Sequence, residues 1–264
     1  MDPLSIVVCV KQVPDSWAEK SLRKDDYRLD RDAADAVLNE LDEYAVEEAL
    51  RIKESRAGET TVTVLSMGPE RTAETLRKAL SMGADAAVHL VDPALEGTDA
   101  VGTSYALSQA LGTLPYDLVI LGSESTDARM SVLPAMLAER LGNAQLTFAR
   151  KVTLDGTTVT TERLTPDGYA TVRAELPAVI SVVEKINEPR YPSFKGIMAA
   201  KKKPFTTLTL ADVGADPAQL GLSGAGTQVL EAQPRAAKAA GEITADDGTG
   251  GTRLAAFLAA HSFA

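Results

Sequence analysis

Along the first 150 residues, short apolar runs alternate with longer stretches of helical period. Residues 5–10 (SIVVCV) are apolar without a break and rich in β-branched side chains, as expected of a strand covered on both faces. Residues 61–65 (TVTVL), 86–90 (AAVHL) and 117–121 (DLVIL) repeat that character. Between them, Leu41, Tyr44, Ala45, Ala49 and Ile52 mark one face of a helix, which assigns Glu47, Glu48, Arg51 and Lys53 mostly to its wet side. Gly68-Pro69 predicts the start of a second helix, with Ala73, Leu76 and Leu80 facing inward and Gly83 as a left-handed cap. A third helix is expected over 100–111, stopping at Gly112. A fourth runs from near Ser131 to Gly142, with Pro134 tolerated in its first turn. This repetition predicts an α/β, doubly wound, mostly parallel sheet with helices on both faces. Residues 11–39 form a long connection between the first strand and the first helix; it reads equally as a functional segment or as a solvated insert.

After Gly142 the pattern changes. Asp155-Gly156 and Pro166-Asp167-Gly168 each separate two β-rich runs, which predicts an antiparallel hairpin region over about 144–176, appended before one last buried strand at 178–183. Beyond Lys185 periodicity fades, apart from a short Leu254, Phe257, Leu258 face. The chain therefore divides into an α/β domain over 1–203 and an extended C-terminal arm over 204–264. The arm's scattered apolar residues (Leu208, Leu210, Val213, Leu220, Leu222, Val229, Leu230) favour lying across a partner over disorder.

Composition narrows the chemistry. In 264 residues there are 27 basic and 37 acidic side chains, a net charge of −10, which argues against a sequence-independent grip on nucleic acid. The single Cys9 excludes an internal disulfide framework and a cysteine-held zinc or iron–sulfur site, and His89 and His261 are too far apart in sequence to suggest a metal site. No run approaches the ~18 apolar residues of a membrane span, and Met1-Asp2-Pro3 opens no signal peptide, so a cytoplasmic protein is expected without membrane insertion.

Ligands of open parallel sheets bind beyond the carboxyl ends of the strands. There the chain places Lys11-Gln12-Val13-Pro14-Asp15, then Ser66-Met67-Gly68-Pro69, then the loop from Gly122 to Ser131 (GSESTDARMS). That loop combines a glycine, four hydroxyl side chains and a helix start, the ingredients of a phosphate seat to which Arg129 would add charge; a hydroxyl-rich turn that only caps its helix has the same composition. No G-x-x-x-x-G-K-[ST] loop is present, no G-x-G-x-x-G follows the first strand, and no serine nucleophile elbow appears. His89 reads as a satisfied core histidine, Cys9 as a small core hydrophobe, and Glu43, Glu47 and Glu48 as a solvated helix face. Lys201-Lys202-Lys203 reads as solvated or as docking an acidic surface. The chain looks built to hold a nucleotide without breaking it.

Two segments, residues 39–54 (NELDEYAVEEALRIKE) and 176–204 (LPAVISVVEKINEPRYPSFKGIMAAKKKP), resemble the beta subunits of electron transfer flavoproteins. The likeness continues through Val10–Asp15, through residues 79–85 (ALSMGAD) and through the Leu121-Gly122…Asp127 loop, in the family's order and over nearly the whole chain. It implies an adenine nucleotide alpha hydrolase-like fold and a heterodimer whose alpha subunit mainly holds the redox FAD. It also implies AMP as a structural nucleotide in this subunit, or a second FAD in electron-bifurcating relatives. The implied pocket comprises Cys9, Asn39, Glu40, Leu41, Asp42 and Met67, and the loop Gly122, Ser123, Glu124, Ser125, Thr126, Asp127, Ala128, Arg129, Met130, Ser131, Val132 and Leu133. The implied recognition loop, about 187–200, presents Phe194 as anchor beside Ser193 and Lys195, with Ile197 and Met198 following. Partners implied are the alpha subunit, acyl-CoA dehydrogenase-type donors and a quinone reductase-type acceptor, with no bond-making chemistry in this chain. Two departures stand out: Val132-Leu133 replaces the Gln-Thr pair of better-known members, and Ser16 and Leu41 stand where those members place aromatics, with Trp17 adjacent. A free-standing adenine-nucleotide sensor of universal-stress-protein type is the alternative.

Overall fold

The computed structural model describes residues 3–233, 235, 236, 238, 241 and 243–263. They form two compact units, Met1–Leu230 and Glu231–Ala264.

The first unit runs β1 (Leu4–Cys9), β2 (Gln12–Pro14), β3 (Ala36–Leu38), α1 (Glu40–Ser55), β4 (Thr60–Met67), α2 (Thr72–Met82), β5 (Ala86–Leu90), α3 (Ala100–Gly112), β6 (Leu118–Gly122), α4 (Leu133–Leu141), β7 (Ala144–Asp155), β8 (Thr158–Thr165), β9 (Gly168–Glu175), β10 (Ala178–Val182), α5 (Phe194–Ala200), β11 (Phe205–Leu208) and a single turn, α6 (Gly221–Gly224). Nine strands make one sheet in the order β11-β5-β4-β1-β6-β10-β7-β8-β9. Every neighbouring pair from β11 to β7 is parallel, while β7, β8 and β9 pair antiparallel through turns at Gly156 (φ 60°) and Gly168 (φ 148°). The last core strand, β10, slots between β6 and β7, and all five of its residues are buried. A doubly wound sheet with an appended antiparallel region is thus the architecture that the alternating runs call for.

Two apolar layers cover the sheet. Inward residues of α1 and α2 (Ala45, Val46, Ala49, Leu76, Leu80) pack with Ile6, Val8, Val62 and Val64 on one face. Those of α3 and α4 (Ala106, Leu107, Leu137, Ala138) pack with Val7, Leu65, Val119 and Val179 on the other. The alternation along β1 explains the split, since successive side chains point to opposite faces. His89 is buried and its Nε2 lies 3.0 Å from the Gly68 carbonyl, a satisfied core histidine.

Three expectations need correction. The arm does not begin at residue 204: Phe205–Leu208 adds a parallel strand beside β5, and Leu210, Val213, Ala215 and Leu220 are buried in the α3/α4 layer. Their spacing shows no period because they reach the core from an irregular segment, not from one face of an element. Leu222, Val229 and Leu230 do remain exposed. Second, Glu47 and Glu48 are buried rather than solvated, because Arg190 and Asn187 return from 143 and 139 residues away to pair with them. Third, α2 starts at Thr72, three residues after Pro69; the intervening turn is closed by the Thr72 amide donating to the Pro69 carbonyl at 2.9 Å.

The second unit contains α7 (Gly250–Ala260), whose Leu254 and Phe257 are exposed. Among the described residues no helix is long and apolar enough to cross a membrane.

Candidate functional site

The chain leaves β1 for β4 and β5 on one side, then returns to place β6 on the other side of β1. At such a reversal the connections diverge and leave a crevice beyond the carboxyl ends of the two strands. Asp42, in the first turn of α1, closes its floor: its carboxylate accepts the Lys11 amide at 2.8 Å and the Gly122 amide at 3.2 Å, tying both strand ends to the helix. Burial pushes the Asp42 carboxyl up to about 7, against the pull of those two amides. The contact is close enough to need glycine. A Cβ at Gly122 would lie 2.6 Å from Asp42 Oδ1 and 2.8 Å from the Leu41 carbonyl carbon. Gly122→Ala is therefore expected to push the start of α1 outward and cost about 1–3 kcal/mol; a denaturant melt of the purified protein measures it, and an unchanged midpoint contradicts the close approach.

Asn39, the N-cap residue of α1, is buried, and its side chain makes no capping bond to its own helix. It reaches across the crevice instead. Its Nδ2 donates to the Glu124 carbonyl at 3.0 Å, and its Oδ1 accepts the Thr126 amide at 3.0 Å. The loop after β6 is thereby pinned along one edge. Ser131 Oγ donates to Glu124 Oε2 at 3.0 Å and closes the loop on itself, while Arg129 and Ser131 sit in the left-handed region at φ 50° and 56°. Asp127 is the electrostatic centre. Its side chain is 1% exposed and pairs with Lys11 Nζ at 2.9 Å and Arg31 Nη2 at 2.5 Å. Burial alone would raise its carboxyl, but the two cations outweigh that and hold it down at about 2.

The structure brings Asn39, Asp42, Gly122, Ser123, Glu124, Ser125, Thr126, Asp127 and Ser131 to one place. Other expected residues lie at its edges or pack into the domain. Cys9 is buried in the α3/α4 layer, where burial, and then the Asp42 charge, push its thiol up to about 12. Glu40 turns outward to accept Ser16 Oγ at 2.7 Å. Ala128, Arg129 and Met130 form an exposed tip, Met67 and Leu133 pack against the α3/α4 layer, and Leu41 presses its backbone on Gly122. Two cations join the site beyond the implied pocket residues. The place of Lys11 just beyond the first strand signals it. Nothing local signals Arg31: it comes from the long 11–39 segment, which the β2–β3 pair, the Arg71–Asp32 ion pair at 2.7 Å and the Arg23 and Arg28 pairs to Glu96 hold on the domain.

The crevice has donors for an anion. α4 begins without a capping side chain and without an acid in its first turn; Pro134 has no N–H and the Met136 amide bonds the Val132 carbonyl at 3.0 Å, so the Leu133 and Ala135 amides are its candidate donors beside Ser131. Thr126 Oγ1 is buried and has no hydrogen-bond partner among the described residues. These amides and hydroxyls are the anion-type donors of the crevice, while Val132-Leu133 adds none from side chains.

A family model described as electron transfer flavoprotein domain matches residues 27–213. The chain belongs to the electron transfer flavoprotein family. It is 55% identical over 260 residues to the electron transfer flavoprotein subunit beta of Mycobacterium tuberculosis, covering 97% of this chain and 98% of that one. It is 38% identical to the protein of the same name from Thermoanaerobacterium thermosaccharolyticum, over 91% and 92% of the two chains. A caffeyl-CoA reductase-Etf complex subunit CarD of Acetobacterium woodii is 34% identical, over 91% of each. As a beta-type member of the family, the chain serves electron transfer and implies an alpha partner.

Proposed function

We propose that this chain holds AMP as a structural nucleotide in the β1/β6 crevice, and that its alpha subunit holds the FAD that carries the electrons. The observation that carries the reading is the loop from Gly122 to Leu133, pinned by Asn39 and leading into the uncapped start of α4. Ser125, Thr126, Ser131 and the Leu133 and Ala135 amides of α4 would take the phosphate. AMP would add packing and charge to this subunit, with no redox chemistry. Asn39 and Asp42 would keep the crevice in shape by tying α1 to both strand ends.

In the same reading the 187–200 segment docks flavin dehydrogenases of acyl-CoA dehydrogenase type, with Phe194 as the anchor. Phe194 is 80% exposed, and Ile197 and Met198 are also exposed, on a helix whose N-cap is Ser193, its Oγ accepting the Gly196 amide at 3.1 Å. Of the arm expected over 204–264, the part beyond the first unit, 231–264, would contact the alpha subunit, a quinone reductase-type acceptor would receive the electrons, and the setting would be cytoplasmic. This chain would contribute no bond-making step.

Acid extraction of the purified heterodimer tests the nucleotide. The expected result is a yellow complex that yields one FAD and one AMP. Two FAD and no AMP would place it among bifurcating members, and a stable ATP-binding homodimer without flavin would overturn the reading.

A further inference from the structure

The exposed aromatics of the 187–200 segment stand between two anchors on different helices. At one end Asn187 Nδ2 donates to the Tyr44 carbonyl and to Glu48 Oε2, both at 3.0 Å. Arg190 uses both edges of its guanidinium: Nε and Nη2 fork onto Glu47 at 2.7 and 3.0 Å, and Nη1 and Nη2 fork onto Glu54 at 2.6 and 3.0 Å. The Arg190 amide donates to Glu47 as well, at 3.1 Å. Bonding to Glu54, then to Glu47, raises the guanidinium's proton affinity further, and Arg190 in turn holds the Glu54 carboxyl below its usual range. At the other end, the backbone of α5 lies directly on the end of α2. A Cβ at Gly196 would come within 2.4 Å of the Ser81 carbonyl. Lys203 Nζ then donates to the Leu80 and Ala84 carbonyls at 2.9 and 2.5 Å. These carbonyls lie at the negative end of α2, where a cation is favoured. Between the anchors Tyr191 and Phe194 project into solvent.

We propose that Arg190 and Lys203 are positioning residues that fix the angle at which Tyr191 and Phe194 meet the electron donor. The inference rests on the docking reading above and adds to it residues that act through the backbone of the segment. The physical reason is entropy. A free segment of this length has to be ordered during docking, at a cost in affinity, whereas one already stapled to α1 and α2 is not. An arginine with both edges engaged has no equivalent in lysine, which keeps the charge but offers no planar fork.

The test uses the assembled heterodimer and an acyl-CoA dehydrogenase reduced by its own substrate. Arg190→Lys and Lys203→Met are each expected to raise the KM for the carrier about five- to tenfold while leaving the limiting rate within about twofold. Amide exchange over 191–200 should accelerate at least about tenfold, the flavin spectrum should not change, and Lys203→Arg should recover most of the KM. Phe194→Ala separates the two claims. If Phe194→Ala raises KM while Arg190→Lys and Lys203→Met do not, docking stands and the positioning role is overturned. An unchanged KM for Phe194→Ala overturns the docking reading, and the positioning role with it. Should Arg190→Lys fail to assemble, Lys203→Met decides, because it lies at the opposite anchor.

Discussion

A chain ended at Pro204 is expected not to fold cooperatively, whereas a chain ended at Leu230 keeps the whole first unit. The shorter truncation removes β11, leaving β5 as a bare edge, and takes Leu210, Val213 and Leu220 out of the α3/α4 layer. At about 1.5–3 kcal/mol for each of these three large apolar side chains, the loss is roughly 4.5–9 kcal/mol, comparable with the ~5–15 kcal/mol total stability of a domain. It also leaves polar groups without partners. Thr98 Oγ1 accepts the Gly221 amide at 2.8 Å, and Asp92 Oδ2 accepts the Leu210 amide at 3.3 Å. Circular dichroism melts of the two truncations settle the matter: equal cooperative transitions would mean that residues 205–230 contribute nothing to the core.

Asp127→Asn should have the next largest effect. The carboxylate is fully covered and neutralises two cations from distant parts of the chain, so removing its charge leaves Lys11 and Arg31 facing each other. Breaking a buried pair costs about 3–5 kcal/mol; because both cations are more than a third exposed, water screens part of that and about 2–3 kcal/mol is expected. The pH dependence follows from the direction of the shift. The Asp127 carboxyl titrates at about 2 in the folded chain against 3.8 ordinarily. A depressed carboxyl stabilises the fold above its ordinary value, and this contribution fades as pH falls from about 4 towards about 2, by roughly 2 kcal/mol in all. Denaturant melts across that window should therefore converge for the parent and Asp127→Asn. Parallel curves would show that the ion pairs carry no stability.

The strands were the most legible feature. The apolar runs at 5–10, 86–90 and 117–121 lie within a residue of Leu4–Cys9, Ala86–Leu90 and Leu118–Gly122, because a strand buried on both faces has to be apolar throughout. The position of the candidate crevice follows equally from local pattern, since the ends of parallel strands are where ligands bind whatever the side chains are. Pairings between remote residues were not. Glu47 and Glu48 fall on the polar side of α1 by period, and only the returning 187–190 segment turns that side into an interior. Lys203 sits in a run of three lysines, and only the end of α2 distinguishes it from Lys201 and Lys202.

Local pattern by itself determined the fold class, the hairpins at Gly156 and Gly168 and the loop that lines the crevice, because these depend on side-chain period and on turn chemistry within a few residues. Tertiary structure alone decided that Arg31 pairs with a carboxylate 96 positions away, that residues 205–220 complete the core, and that the 187–203 segment is stapled at both ends. Charges and scattered apolar residues carry no period. Their partners are chosen by how the sheet and its helices bring distant stretches together, which no local window contains.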